Sequence, residues 1–174
     1  MAFYGVEQVL DDVSAYIVSS LGTHLTAVQS AATSDGAVAL APTPSVPTAN
    51  DIFIASAGVD MSKPLGNRVV IVLRVDTYDQ GDRPNGISAV GLTLGLRVSE
   101  PSAKTVNTTR RLGRYVDALV RMFNTDATCS TAYIIQIEYP SPAVFGPEMM
   151  EGARTPVYQE AFLPLVASIQ ESAA

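Results

Sequence analysis

Within residues 87–99, apolar side chains alternate with small or polar ones from Val90 to Ser99. Because side chains alternate across a strand, this pattern predicts a long β-strand with one apolar face and one nearly bare face. Glycine inside a strand costs stability and often marks the close approach of another backbone. Two interpretations remain: the bare face contacts a neighbouring subunit, or its glycines mark a bend or bulge within one sheet. The apolar parity holds Val90, Leu92, Leu94, Leu96 and Val98, and the bare parity holds Gly91, Thr93, Gly95, Arg97 and Ser99.

The composition favours one domain, residues 1–174, that associates with other proteins. Hydrophobic residues make up 47% of the chain and charged residues only 16%, and the mean hydropathy is +0.21. No apolar run approaches the roughly 20 residues that a membrane span requires, and the first residues lack the basic region of a secretory signal. The apolar content is high for a soluble monomer of this size, and burial of apolar surface in contacts between subunits is its simplest explanation.

The charge balance argues against a general nucleic-acid-binding protein. The net charge is −6, whereas neutralising phosphates needs an excess of Lys and Arg. An acidic protein can still surround DNA, because a negatively charged channel lining would let the DNA slide through without binding. The single cysteine, Cys129, excludes an internal disulfide and fits a reducing compartment. We expect it to be a small core or loop residue and not a nucleophile.

Hydrophobic periodicity predicts two amphipathic helices, at residues 5–32 and 105–123. Between the first helix and the first strand, residues 33–50 are rich in Pro and Ala. Proline lacks an amide donor and restricts φ, so this segment is predicted to be an extended arm or a long loop.

Five strands are predicted, and the second and third form a long β-hairpin around the polar turn at residues 79–86. Residues 140–156 are predicted to be a loop, and Pro164 is expected at an edge or a bulge. The fold class is therefore α+β: an antiparallel or mixed sheet with two helices packed on one face. The strands are predicted at residues 51–56, 68–78, 87–99, 133–139 and 157–169.

No residue set indicates catalysis, and we expect no cofactor and no metal. His24 is the only histidine, and the chain has neither a Gly-x-Ser-x-Gly elbow nor a phosphate-binding glycine loop. The best metal-like set is Asp76, Asp79 and Asp82, but its spacing does not fit a calcium-binding loop. A solvated hairpin tip is the preferred interpretation.

Arginine side chains give the second predicted helix the one basic patch of this acidic chain. Arg110, Arg114 and Arg121 share a helix face with Asp117. That face is either solvated or docks against the acidic start of the first helix in an adjacent copy, and such contacts set orientation more than affinity. The candidate subunit interface therefore comprises Gly91, Thr93, Gly95, Arg97, Arg110, Arg114, Arg121, Glu7, Asp11 and Asp12.

The order of these elements resembles that of a known family, the tail-terminator or tail-completion proteins of long-tailed bacteriophages and the related head-to-tail neck proteins. Members of that family are small α+β subunits that begin with an amphipathic helix. A β-hairpin, a helix on the sheet and closing strands follow. The segments that carry the resemblance are VEQVLDDV at residues 6–13, RVVIVLRV at 68–75, residues 111–123 and VYQEAFLPL at 157–165.

The resemblance implies a virion protein of the tail or neck, assembled in the host cytoplasm. Its subunits would form a closed ring, commonly a hexamer, that caps the tail tube and joins it to the head connector. DNA would pass through the lumen without specific binding, and neither catalytic residues nor a membrane would be involved. The alternatives are a tail-tube or minor capsid subunit, a secretion or adaptor subunit, and a small-molecule-binding or enzymatic α+β domain.

Overall fold

The described residues form two α-helices, one 3-10 helix and seven strands. The computed structural model describes residues 5–37, 40, 43–55, 69–79, 86–100, 105–147, 149–150 and 157–170. A short 3-10 helix at Ala49–Asp51 precedes the first strand. The helices are α1 (Val6–Ser34) and α2 (Thr105–Thr125); the strands are β1 (Ile52–Ala55), β2 (Val69–Asp79), β3 (Ile87–Glu100), β4 (Ile134–Glu138), β5 (Val144–Phe145), β6 (Met149–Met150) and β7 (Val157–Gln170).

The strands form one mixed sheet with the order β1-β2-β3-β7-β4. β1 runs parallel to β2, and the other pairs are antiparallel. β2 and β3 are consecutive and pair from Val69 opposite Val98 to Asp79 opposite Ala89, as in a hairpin. The two short strands β5 and β6 pair with the first part of β7. The predicted α+β class is confirmed.

Pro164 lies on a stretch of β7 that has a described neighbour on one side only. It is opposite Thr93 of β3. On the other side of β7, β5 pairs as far as Phe162 and β4 pairs from Val166 onward. The missing amide of Pro164 is therefore accommodated between two pairing regions, where the strand is locally an edge.

The helices and one face of the sheet enclose the core. The predicted apolar parity of β3 is buried, with Leu94 and Leu96 fully inaccessible. These side chains belong to the same cluster as Ile17 of α1 and Leu119 of α2. Full burial of a large apolar side chain contributes roughly 1.5–3 kcal/mol. The amphipathic stripes of α1 and α2 thus cover the apolar side of the sheet.

α1 and α2 run in opposite directions. Tyr16, in the first half of α1, donates a hydrogen bond to the carbonyl of Met122 near the end of α2 (3.4 Å). Its ring centroid lies 6.1 Å from that of Phe123. At the other end of the pair, Ala32 of α1 lines the same cleft as Arg110 of α2. The start of each helix therefore lies beside the end of the other.

Residues 43–48, which we call the helix strap, pack against both helices. Pro44 and Pro47 are buried, and a Cβ atom on Gly22 of α1 would stand 3.1 Å from Cγ1 of Val46. The Tyr115 hydroxyl of α2 donates a hydrogen bond to the Ser45 carbonyl (2.5 Å). The sequence predicts an extended arm or a long loop over residues 33–50. In the described part of that segment α1 continues to Ser34, and residues 43–48 form neither helix nor strand but pack on the helix pair.

Candidate interaction surface

The sheet face opposite the helices carries a row of apolar residues. The strand register places Phe53 of β1, Val72 of β2, Gly95 of β3, Phe162 of β7 and Val144 of β5 side by side. We call these five residues the open-face row. Phe53 is 43% exposed, Phe162 42% and Val144 60%. Large apolar side chains that cluster in solvent are typical of protein–protein contact sites.

Gly95 lies in the centre of the open-face row, and Phe162 fills the space beside it. A Cβ atom on Gly95 would meet the Phe162 ring at 3.7 Å, an ordinary van der Waals distance. An aromatic side chain next to a cross-strand glycine compensates for the packing that glycine cannot provide. The face that was predicted to be bare on β3 is therefore covered in part by an exposed aromatic ring from β7.

Gly91 has a different role, because it lies opposite a bulge in β2. The β2–β3 register shifts between Val75 and Thr77, and Thr77 pairs with Gly91. A Cβ atom on Gly91 would stand 2.2 Å from Thr77 Oγ1, closer than atoms can approach. At Gly91 the observations support the second interpretation from the sequence, a bulge within one sheet.

Arg97, a candidate interface cation, is engaged within the sheet. Its Nε and Nη2 atoms donate hydrogen bonds to Oε1 of Glu160 at 2.9 and 2.6 Å. Its guanidinium carbon lies 4.3 Å from the ring centroid of Tyr158, and the residue is only 8% exposed. Arg97 therefore ties β3 to β7 and borders the open-face row on one side.

Thr93 borders the open-face row on its other side and is also engaged within the sheet. The Thr93 hydroxyl donates a hydrogen bond to Asp76, and Asp76 forms a salt bridge with Nε of Arg74 at 2.7 Å. Polar and charged groups thus flank the apolar row on both sides. An apolar centre with a polar rim is the usual anatomy of a protein–protein interface.

The predicted basic patch on α2 is divided between surface and interior. Arg110 and Arg121 are exposed, whereas Arg114 is buried. Arg110 and Arg114 line a cleft between the two helices, together with Asp117. Arg121 lies outside this cleft.

The acidic start of α1 is likewise divided. Glu7 and Asp11 are exposed. Asp12 accepts hydrogen bonds from the Tyr133 hydroxyl at 2.7 Å and from Nε2 of Gln8 at 3.2 Å. Asp12 therefore connects α1 to the segment before β4, and two of the three predicted acidic residues remain directed to solvent.

The sequence analysis missed the role of Asp126 in the turn after α2. Its carboxylate accepts four hydrogen bonds, from the backbone amides and hydroxyls of Thr128 and Ser130. The Thr128 hydroxyl is the largest cause that lowers the pKa of Asp126. The sequence does contain a signal for this turn, namely the spacing of Asp126, Thr128 and Ser130. Side chains of these types accept hydrogen bonds from, or donate them to, nearby backbone groups in turns.

Cys129 lies in the same turn and is buried. Burial is the largest cause that raises the pKa of its thiol to about 12, and the Asp126 and Asp12 carboxylates add to the rise. At neutral pH the sulfur is therefore a protonated thiol, whereas the thiolate is the nucleophilic form. This environment matches the small core or loop residue that was expected.

The metal-like aspartates are partly outside the described residues. Asp82 lies outside, while Asp76 pairs with Arg74 and Asp79 is exposed. Within the described part of the chain, no three His, Cys, Asp or Glu residues are grouped as metal ligands would be.

No protein-family model matches this chain, and no curated protein matches it. Neither α1 nor α2, the α-helices of the described residues, has the length and apolar character needed to cross a membrane. The fold and the surface define an α+β protein with two helices on one face of a mixed sheet and an apolar row on the other.

Proposed function

We propose that this chain is a structural subunit that assembles with copies of itself. The observation that carries the proposal is the open-face row, in which Phe53 at one end and Phe162 and Val144 at the other are exposed on one face of the sheet. Burying such side chains against another protein gains about 25 cal/mol for each Å² removed from water. The polar groups of Arg97 and Asp76 on either side are positioned to form the rim of that contact.

The specific role that we propose is a tail-terminator or neck subunit of a bacteriophage virion. The order α1, β2–β3 hairpin, α2, β4 and β7 supports it, because the resembled family has the same order of elements. The subunit would form a ring, with six copies as the expected number, and would be structural and not catalytic. It would cap the tail tube, contact the head connector and surround DNA that passes without specific binding, after assembly in the host cytoplasm.

The test is the mass and shape of the purified protein. We expect light scattering to give a mass of several copies, and negative-stain electron microscopy to show closed rings of one layer. Stacked rings or tubes would favour a tail-tube subunit, the main alternative. A strict monomer at high micromolar concentration would contradict self-assembly.

A further inference from the structure

The cleft between the end of α1 and the start of α2 has a distinctive lining. Small residues form its α1 side, and two arginines one helical turn apart, Arg110 and Arg114, form its α2 side. The cleft has a volume of about 370 Å³, so side chains of another molecule fit between the helices. α1 has no basic residue in its own last turn, and cations are favoured at the negative end of a helix dipole. The lining residues are Ala32, Gly36, Ala37, Arg110, Gly113, Arg114 and Asp117.

The opposite end of α1 carries the complementary charges at the same spacing. Glu7 and Asp11 are both exposed and are four residues apart, as Arg110 and Arg114 are. Residues at this spacing lie on the same helix face, roughly 5–6 Å apart. Two carboxylates on one helix can therefore approach the cleft together, where Arg110 is exposed and Arg114 is buried.

One copy cannot bring these two surfaces together. Because α1 and α2 are antiparallel, the cleft lies at the far end of α1 from Asp11, about 35 Å away at 1.5 Å per residue. A contact between Asp11 and the cleft must therefore join two copies. It uses different surfaces on each copy, and repeated contacts of this kind close into a ring or extend into a filament.

We infer that the cleft binds the start of α1 from a second copy of this chain, with the Glu7 and Asp11 carboxylates facing the exposed Arg110. This inference rests on the proposed self-assembly and adds its direction: copies join head to tail along their helix pairs. In that arrangement the positive end of one α1 dipole faces the negative end of the next. Exposed ion pairs are weak, so this contact sets orientation, and the open-face row supplies affinity.

The experiment is a charge-reversal swap, read by sedimentation velocity at low salt, where screening is least. We expect Arg110→Glu to weaken assembly by about threefold to tenfold, and the double variant Glu7→Arg, Asp11→Arg to do the same. An equimolar mixture of the two variants should restore assembly, because each reversed surface then meets its complement. Recovery in the mixture also shows that both variants are folded.

Two further variants test the site of the contact. Arg121→Glu is the matched control, since Arg121 is an exposed arginine of α2 outside the cleft, and it should leave assembly unchanged. Asp117→Asn should strengthen assembly, because Asp117 is the one acidic residue among those that line the cleft.

Three outcomes would overturn the inference. If the wild type forms rings and both reversal variants do so equally well, the cleft contact is wrong and self-assembly stands. If the variants fail to recover in the mixture, the two surfaces are not partners. A monomeric wild type would overturn the proposed function and the cleft contact together.

Discussion

At the scale of single residues, the two glycines of β3 differ in what a side chain would meet. A Cβ atom on Gly91 would overlap Thr77 Oγ1, whereas one on Gly95 would make ordinary contacts. A larger residue at Gly91 therefore perturbs the sheet itself, so a Gly91 variant is no clean probe of a subunit contact. Gly95 is the suitable position for that purpose.

We predict that Gly91→Ala destabilises the fold and that Gly95→Ala does not. Alanine at Gly95 should be neutral or stabilise by up to about 1 kcal/mol, because glycine loses more backbone entropy on folding. Alanine at Gly91 forces Thr77 out of its rotamer and should cost about 1–2 kcal/mol. Urea unfolding measures both values. In a Thr77→Ala background the cost at Gly91 should disappear, and a persistent cost would contradict the overlap.

The Asp126 turn allows a prediction about pH. The bonds of its carboxylate to Thr128 and Ser130 hold Cys129 and Ser130 at positive φ, 51° and 56°. Asp126→Asn should cost about 1–3 kcal/mol at pH 7, because several of these bonds are lost.

The dependence on pH follows from the lowered pKa of Asp126. A carboxyl group with a folded pKa below its unfolded value stabilises the protein fully above the unfolded pKa. This stabilisation is lost as the pH falls through the folded pKa. The stability difference between wild type and Asp126→Asn should therefore shrink below about pH 4. Urea unfolding between pH 7 and pH 2.5 measures it, and a constant difference would exclude a role of the charge.

At the scale of elements, β1 offers a matched test of the open-face row. Phe53 and Ile54 are neighbours with similar exposure, 43% and 47%. Phe53 pairs with Val72 on the open face, whereas Ile54 pairs with the core residue Leu73. We predict that Phe53→Ser weakens self-association at least about tenfold, since a large apolar contact is worth about 1.5–3 kcal/mol, and that Ile54→Ser has little effect.

Analytical ultracentrifugation over a concentration series measures this difference. The monomers of both variants should unfold at similar urea concentrations, because both side chains are exposed. Equal loss of association in the two variants would assign the contact to the edge of β1 that has no paired strand among the described residues, and not to the sheet face.

Element positions were predictable where the signal is local. The stripes of α1 and α2 and the alternation of β3 follow from helical and strand periodicity, and the structure confirms these elements. The helix strap was not predictable in the same way. Its prolines excluded helix and strand, but the contact of Val46 with Gly22 depends on how distant segments pack.

At the scale of the whole molecule, two surfaces on opposite sides of the sheet would both contribute contacts to self-assembly. The open-face row lies on one side, and the acidic start of α1 and the cleft with Arg110 of α2 lie on the helix side. A subunit with a separate surface for affinity and another for direction can join copies in one orientation only. That property suits a closed ring.

The amino-acid sequence by itself determined the two amphipathic helices, the apolar parity of β3 and the α+β class, because periodicity depends only on neighbours along the chain. It also nominated six charged candidates, and only the structure divided them between surface and interior: Arg110, Arg114, Arg121, Glu7, Asp11 and Asp12. Only the tertiary structure decided that Gly91 faces a bulge, that Arg97 pairs with Glu160 and that Phe162 lies beside Gly95. These facts depend on strand register and helix direction, which long-range packing sets.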